Sequence, residues 1–191
     1  MTLELGYSID WSATWAGVSA VAAFLAVAAM LYVMKVQLTE TKKLTSHQLF
    51  LQINSQYESE FMQKKRAILA YQLTTNRAAL EIDDTVIVFF ETLGLYFKED
   101  LLDPKFVWNA FSVDVCSYWR ACEHYINNVR KECSDDLYFE EFESLNNEML
   151  KLSSEYCPGS TVALSEKAIK DFLSWEIQRV KSGNHIDSII A

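Results

Sequence analysis

The sequence is short of residues that interrupt helices. Only 5 glycines and 2 prolines occur among 191 residues, whereas 50% of the residues are hydrophobic and 13% are aromatic. Disordered chains are rich in Gly and Pro and poor in aromatic residues, so this composition favours long helices packed around a core. No strand-length alternation competes with the helical periodicity, and no internal repeat is visible. The sequence therefore predicts an all-α protein.

Motifs that bind metals or nucleotides are also missing. No Gly-rich phosphate loop occurs, which argues against nucleotide binding. The four cysteines, Cys116, Cys122, Cys133 and Cys157, form no CxxC pair, and we interpret them as buried free thiols. A zinc site made of Cys122, His124 and Cys133 would have a spacing that fits no standard ligand arrangement. We expect no metal and no cofactor.

Catalytic patterns are weak. His124 follows Glu123, but no Ser or Cys nucleophile accompanies it in a recognisable motif. The acidic stretch "DDLYFEEFESLNNE" lacks the Gly turn of a calcium loop, which predicts a solvated helix face. We expect the chain not to be an enzyme, and a deep polar pocket beside His124 is the feature that would revive that alternative. The net charge of −9 argues against nucleic acid as a partner.

Charged side chains are absent from residues 11–34, "WSATWAGVSAVAAFLAVAAMLYVM". At 1.5 Å per residue a helix of this length is about 36 Å long, against a hydrocarbon core of about 30 Å. Trp11 and Trp15 lie at one end and Tyr32 at the other, where interfacial aromatic rings are favoured. A cleaved signal peptide would have a basic N-terminal region and a shorter apolar stretch. The run predicts a transmembrane helix at residues 11–35.

The flanking charges indicate an orientation. No Lys or Arg precedes the apolar run, whereas Lys35, Lys42 and Lys43 follow it. Because positive residues remain on the cytoplasmic side, the N-terminus is expected outside and the C-terminal domain in the cytoplasm. The predicted location is the inner (plasma) membrane, as a single-pass protein with the lipid bilayer as a partner.

Small residues recur along the apolar run at helical spacing: Ser12, Ala16 and Ala20, and also Ser19 and Ala23. Small side chains allow helices to approach closely within lipid. This spacing predicts a homo-oligomer that packs through the membrane helix. The alternative is that Ala serves only as an apolar filler in a monomeric span.

The remaining chain divides by composition and periodicity. We assign residues 1–10 to an extracytoplasmic N-terminus, 36–48 to a juxtamembrane stalk, 49–182 to a cytoplasmic helical domain and 183–191 to a flexible tail. Phe50, Ile53, Tyr57, Phe61 and Tyr71 share one helical face, which predicts a helix that runs unbroken through this region.

A bundle of four to five helices is predicted in this domain. Asp103 before Pro104 is a helix start, since Asp accepts free N–H groups and Pro suits the first turn. Ser134 or Asp135 is expected to begin the following helix.

Three segments, "FFETLGLYFKEDLLDPKFVWNAF", "YWRACEHYINNVRKE" and "YFEEFESL", resemble a family of uncharacterised bacterial helical proteins. Members have one N-terminal membrane helix and a small all-α domain of unknown function. The resemblance implies the fold and the membrane location but no known activity, and it associates such proteins with accessory or phage-defence loci. Its recurring positions here are Glu91, Gly94, Asp103, Trp119, Tyr125, Arg130 and Phe142.

Physical roles follow for several of these positions. Glu91 lies in an apolar stretch and needs a partner if buried, which Arg130 or Arg120 would supply through a bidentate pair. Gly94 lowers helix stability by about 1 kcal/mol relative to Ala, so a close helix approach would explain it. Together with Trp119, these are structural or interaction residues rather than catalytic ones.

The functional hypothesis is a membrane-anchored interaction or regulatory protein whose cytoplasmic domain binds another protein or a second copy of itself. The alternative is a pore-forming effector that is triggered through its cytoplasmic domain. A conducting pore needs a polar lining, and only Ser12, Thr14 and Ser19 offer one, all near the outer end. This distribution favours the interaction protein.

Overall fold

A computed structural model describes residues 11–75, 82–158 and 165–181, with side chains for 23–75, 82–158 and 165–180. These residues form helices and connections with no strand. The helices are α1 (Trp11–Tyr57), α2 (Glu60–Thr74), α3 (Thr85–Lys98), α4 (Pro104–Cys133), α5 (Glu140–Tyr156) and α6 (Glu166–Lys181). The predicted all-α fold, a long apolar N-terminal helix followed by a helical bundle, is confirmed.

The chain forms two compact units, Met1–Thr45 and Ser46–Ala191. In α1, the stretch Ala23–Tyr57 is long and apolar enough to cross a membrane, and none of its most apolar window is buried against other described residues. The second unit contains the last turns of α1 and the other five helices. This second unit is called the helical domain below.

The predicted unbroken helix between Phe50 and Tyr71 is wrong. α1 ends at Tyr57 and α2 begins at Glu60, because the Ser59 hydroxyl accepts a hydrogen bond from the Met62 N–H at 3.2 Å and caps a new helix. The break separates the apolar face that the sequence pattern joined. Tyr57 is 2% exposed, whereas Phe61 is 61% exposed.

Helix starts were predicted with mixed success. The start at Asp103 is confirmed, since its carboxylate accepts a hydrogen bond from the Lys105 N–H at 2.8 Å. The start at Ser134 or Asp135 is wrong, because Ser134 instead ends α4 in the left-handed conformation, with φ 52°. Asp135 accepts a hydrogen bond from the Leu137 N–H within the connection, and α5 begins only at Glu140.

The core of the helical domain is aromatic. Phe90 of α3 stacks on Phe142 of α5 at 5.1 Å, and Trp119 of α4 meets Phe142 edge-on at 5.2 Å. Near the end of α1, the Tyr57 ring contacts Phe111 at 5.3 Å. Each fully buried side chain of this kind stabilises the fold by about 1.5–3 kcal/mol relative to exposure. Helix α5 thus packs against both α3 and α4, while α6 packs against α2.

The cysteines divide into two pairs. Cys116 and Cys122 are buried free thiols, as predicted, but Cys133 and Cys157 are exposed, so the expectation is wrong for those two. Burial raises the pKa of Cys116 to about 11 and that of Cys122 to about 12. Both buried thiols are therefore protonated at neutral pH and act as small apolar groups.

Candidate functional site

Glu91 and Gly94, for which the sequence predicted structural roles, lie where α3 meets the start of α5. The half-buried Glu91 carboxylate accepts a hydrogen bond from the backbone N–H of Phe142 at 2.7 Å. Burial raises the pKa of Glu91, although hydrogen bonds from the Phe142 and Glu141 backbone lower it in part. Glu91 therefore supplies an acceptor for the free N–H groups in the first turn of α5.

Gly94 lies one turn further along the same face of α3. A Cβ placed there would overlap the backbone carbonyl group of Glu141, with its carbon 2.7 Å away. The close approach predicted for Gly94 is thus confirmed, and the neighbouring element is the first turn of α5. One turn beyond, the Lys98 ammonium pairs with the Glu141 carboxylate. Three positions on one face of α3 therefore hold the beginning of α5.

The prediction that Arg130 or Arg120 pairs with Glu91, in contrast, is wrong. The Arg130 guanidinium donates from Nε to the Tyr138 carbonyl at 2.8 Å and pairs from Nη1 with Glu143 at 2.8 Å. Arg120 pairs with Glu123 one turn away on its own helix, at 2.6 Å. Arg130 thus ties the end of α4 to the connection that leads into α5, and the backbone satisfies Glu91 instead.

The helical domain also contains a buried charged cluster that sequence reasoning missed. Arg66 of α2 and Glu176 of α6 are 0% and 1% exposed, and their Nε and Oε2 atoms are 3.5 Å apart. The Arg66 guanidinium lies 4.1 Å from the centre of the Tyr57 ring. Tyr57 in turn donates a hydrogen bond to Asp114 at 2.8 Å. Together with the buried Tyr118, these five residues form the polar cluster.

The hydrogen bonds of this cluster are incomplete among the described residues. Neither carboxylate oxygen of Glu176 has a partner at hydrogen-bond geometry, and the same holds for the Tyr118 hydroxyl and for Nε and Nη2 of Arg66. Tyr118 nevertheless lies close enough to lower the pKa of Glu176 slightly. Buried polar groups are almost always hydrogen-bonded, so this cluster is the clearest departure from an ordinary core.

Burial sets the protonation of the cluster. Burial raises the pKa of Glu176, and Arg66 lowers it without cancelling that effect. Burial also raises the pKa of Asp114, against the hydrogen bond from Tyr57. For Arg66, burial lowers the pKa, but Tyr57 and Glu176 raise it by more, so the guanidinium remains charged. Arg66 therefore remains positively charged, whereas Glu176 and Asp114 bind protons more readily than exposed carboxylates do.

A periodic signal for the cluster does exist in the sequence. Glu176 falls four residues after Phe172 and three after Leu173, on the inward stripe of α6. Arg66 likewise falls four residues after the buried Met62 and three before the buried Leu69. A charged residue on an apolar stripe indicates a buried charge, although its partner cannot be identified from one helix alone.

Two open grooves lie among the described residues of the helical domain. One, of about 380 Å³, lies between the end of α1, the start of α2 and α3, with Leu49, Phe61 and Tyr96 among its lining residues. The other, of about 720 Å³, lies beside His124 and is also lined by Lys170. A deep polar pocket at this place is the feature that would favour an enzyme, and charged side chains, among them Arg120 and Glu166, do line this groove. The groove is also lined by Ser174, and the described hydrogen-bond partner of the His124 ring is the Asn128 amide, at 3.2 Å. That the chain is not an enzyme stays a prediction.

The predicted packing residues of the apolar helix lie partly outside the described side chains. Ser12, Ala16, Ser19 and Ala20 belong to the helical backbone of α1, but their side chains fall outside the described residues. Ala23 is described and exposed. Helix packing through these positions stays a prediction.

These features define a class of protein: an apolar N-terminal helix that leads into a helical domain with a charged cluster in its interior. A family model matches residues 16–149, and the chain belongs to that family, described as Domain of unknown function (DUF4760). The predicted resemblance to an uncharacterised family is thereby confirmed. The match includes most of α1 and of α5 and ends before α6. No curated protein and no solved structure matches the chain.

Proposed function

We propose that this protein is a membrane-anchored helical interaction protein. In this proposal α1 crosses the inner membrane once, with the N-terminus outside, and the helical domain binds proteins on the cytoplasmic side. An accessory or phage-defence role, which the sequence resemblance implies, is compatible with a tethered binding domain. The observation that carries the proposal is the exposure of large apolar side chains along α1.

That exposure is extensive. Phe24, Leu25 and Leu31 are 77%, 63% and 61% exposed, and the neighbouring large apolar residues of α1 are similarly uncovered among the described residues. A continuous apolar surface of this length is not tolerated in water and marks a membrane or protein contact. Lipid covers such a helix along its whole circumference, which fits apolar residues on every side of it.

The same helix enters the core of the helical domain. Ile53 and Tyr57, in the last two turns of α1, are 5% and 2% exposed and belong to the aromatic core. Flexible linkers are typically rich in Gly and Ser, whereas α1 is one continuous helix from Trp11 to Tyr57. The tether is therefore part of the folded domain at its C-terminal end.

Two features support the binding role: exposed aromatic side chains on the helical domain and small residues along α1. Phe61 and Trp175 are 61% and 51% exposed on the helical domain, and aromatic side chains are enriched at protein interfaces. Within the membrane, the spacing of Ser12, Ala16 and Ala20 suits close contact with a second copy of α1. We propose self-association through α1 and a separate protein contact through the helical domain.

Fractionation of a paired set of variants tests the membrane anchor. Leu25→Asp combined with Leu31→Asp places two carboxylates in the apolar segment and is expected to shift the full-length chain from carbonate-washed membranes to the soluble fraction. Leu137→Asp, at a position 66% exposed on the helical domain, is the matched control and is expected to remain with the membrane. Recovery of the double variant in the membrane fraction together with the control would contradict the proposal.

A further inference from the structure

Helix α6 is attached to the helical domain by few apolar side chains. Of its described residues, Leu173 and Glu176 are the ones that are fully buried. Phe172 is partly buried and meets the Tyr118 ring edge-on at 5.0 Å. Helix α5, of similar length, buries three apolar side chains, Phe142, Leu145 and Met149. The apolar attachment of α6 is accordingly the weaker of the two.

The buried Arg66–Glu176 contact does little to compensate for the weak apolar attachment of α6. Removal of two charges from water carries a large penalty, which a close, fully hydrogen-bonded pair offsets. The Arg66–Glu176 pair is 3.5 Å apart, and the Glu176 oxygens have no partner at hydrogen-bond geometry among the described residues. On opening of α6, water would solvate both groups, so this contact favours the closed state less than an apolar pair of equal size.

The second ionic contact of α6 lies at the surface. Arg179 pairs with Glu58 at 2.5 Å, with side chains 30% and 45% exposed. The Arg179 guanidinium also lies over the ring of Trp175, which is 51% exposed. Solvent and salt screen an ion pair of this kind, and it holds a helix weakly.

The family match also distinguishes α6 from the other helices. The family match ends at residue 149, before α6 begins at Glu166. The partners of Glu176, in contrast, lie within the matched residues: Arg66 on α2 and Tyr118 on α4. Helix α6 packs chiefly against α2, whereas α3, α4 and α5 pack against one another through the aromatic core.

We propose that α6 is a releasable helix, which opens from α2 and α4 without unfolding of α3, α4 and α5. The Arg66–Glu176 pair is the contact that sets how often it opens. Opening exposes Arg66, Tyr57 and Tyr118, a cationic and aromatic surface on a domain that is otherwise acidic. A conformational change of the helical domain is therefore built into its fold, at one identifiable contact.

Hydrogen exchange of the full-length protein in detergent micelles tests this inference. We expect the amides in the middle of α6 to exchange at least tenfold faster than those in the middle of α5, because α6 opens locally. Arg66→Met removes the guanidinium and leaves the Glu176 carboxylate buried without a cation, so it is expected to accelerate α6 exchange at least tenfold with α5 unchanged. Lys64→Met, at an exposed position of the same helix α2, is the matched control and leaves the rate unchanged.

The double variant Arg66→Met with Glu176→Leu provides the opposite change. An apolar pair in place of the buried charges is expected to slow α6 exchange about tenfold. The inference is overturned if α6 and α5 of the wild type exchange at the same rate, or if Arg66→Met leaves α6 unaffected. Acceleration in the double variant would also overturn it, and if that variant does not fold, Arg66→Met alone decides.

Discussion

The carboxylate of Glu91 on α3 accepts a hydrogen bond from the backbone N–H of Phe142 on α5, at 2.7 Å. The residue at the start of α5, Phe139, makes no side-chain capping bond of its own. A residue from another helix thus performs the capping role that Ser, Thr or Asp usually performs locally. This relationship joins α3 and α5 through polar as well as aromatic contacts.

Two substitutions of Glu91 distinguish the contribution of its hydrogen-bond acceptor from that of its negative charge. Glu91→Gln retains an oxygen acceptor, so its free energy of unfolding is expected to lie within about 0.5 kcal/mol of wild type or above it at neutral pH. Glu91→Leu removes the acceptor and is expected to lower that free energy by about 1–2 kcal/mol. Thermal unfolding of the full-length protein in micelles, followed by circular dichroism, measures both. Equal losses in the two variants would contradict the capping role.

Gly94→Ala tests the close approach between α3 and α5. In a free helix this substitution is stabilising by about 1 kcal/mol, but here the new Cβ meets the Glu141 backbone. We expect a loss of about 1–3 kcal/mol, typical of overpacking. Thr92→Ala, on the exposed side of the same helix, is the control and is expected to change stability by less than about 0.5 kcal/mol. A stabilised Gly94→Ala variant would show that the helices are not in contact there.

Arg130→Lys tests whether the planar guanidinium at the end of α4 is required. Arg130 donates to the Tyr138 carbonyl and to Glu143 at once, and one ammonium group does not reproduce that geometry. The expected loss is about 1–2 kcal/mol in the free energy of unfolding. Arg120→Lys is the matched control, because its pair with Glu123 is exposed and contributes about 0–1 kcal/mol. Indistinguishable stabilities would remove the special role of Arg130.

Stability is expected to fall as pH rises from about 4.5 toward neutrality. The pKa values of Glu176, Asp114 and Glu91 are raised in the folded protein, first of all by burial. The folded state therefore binds more protons than the unfolded state between the ordinary and the raised pKa values. The stabilisation that comes from this extra proton binding is complete below the ordinary pKa values of these carboxyl groups. It is lost as the pH rises through their raised pKa values in the folded protein. Asp83 opposes this trend below about pH 4, because its pKa is lowered by Lys65 and Thr85 against the effect of burial.

Glu91→Gln provides the control for this pH dependence. Because the amide does not titrate, the variant and the wild type should differ less in Tm at pH 4.5 than at pH 7.5, with the variant relatively more stable at the higher pH. A Tm of the wild type that rises steadily between these two pH values would contradict the assigned pKa directions.

Variants of the apolar helix test self-association. Ala16→Leu combined with Ala20→Leu places bulky side chains on the predicted packing face and is expected to reduce crosslinked dimers in membranes severalfold. Ala29→Leu is the matched control, since it lies nine residues after Ala20, about two and a half turns at about 3.6 residues per turn, on the opposite side of the helix. Unchanged dimer yield in the Ala16/Ala20 variant would exclude packing through this face.

Much of the architecture could be predicted because helical periodicity is a local signal. The apolar run and the start at Asp103 depend on residues within a few turns. Gly94 is conspicuous within its own helix, although the Glu141 backbone that it approaches lies on another helix. The break at Ser59 was missed because Tyr57 and Phe61 are four residues apart and continue the same pattern. One hydroxyl bond to the Met62 N–H ends that pattern, and periodicity alone does not reveal it.

Long-range polar contacts were the part that could not be predicted. Glu91 was correctly expected to need a partner, but the backbone of α5, 51 residues away, satisfies it rather than an arginine. The Arg66–Glu176 pair joins residues on α2 and α6, and each helix taken alone shows only a charge on an apolar stripe. Such pairings are fixed by tertiary packing, which propensity and spacing do not determine.

The central claim, a membrane anchor with a cytoplasmic helical domain, is tested most directly by one fluorescence measurement. A fluorescent protein that matures only in the cytoplasm is fused after Ala191 and expressed in a Gram-negative host, and fluorescence is measured in carbonate-washed membranes and in the soluble fraction. The account predicts that the fluorescence is recovered in the washed membranes. Fluorescence in the soluble fraction would contradict the anchor, and membranes that contain the fusion without fluorescence would contradict the orientation.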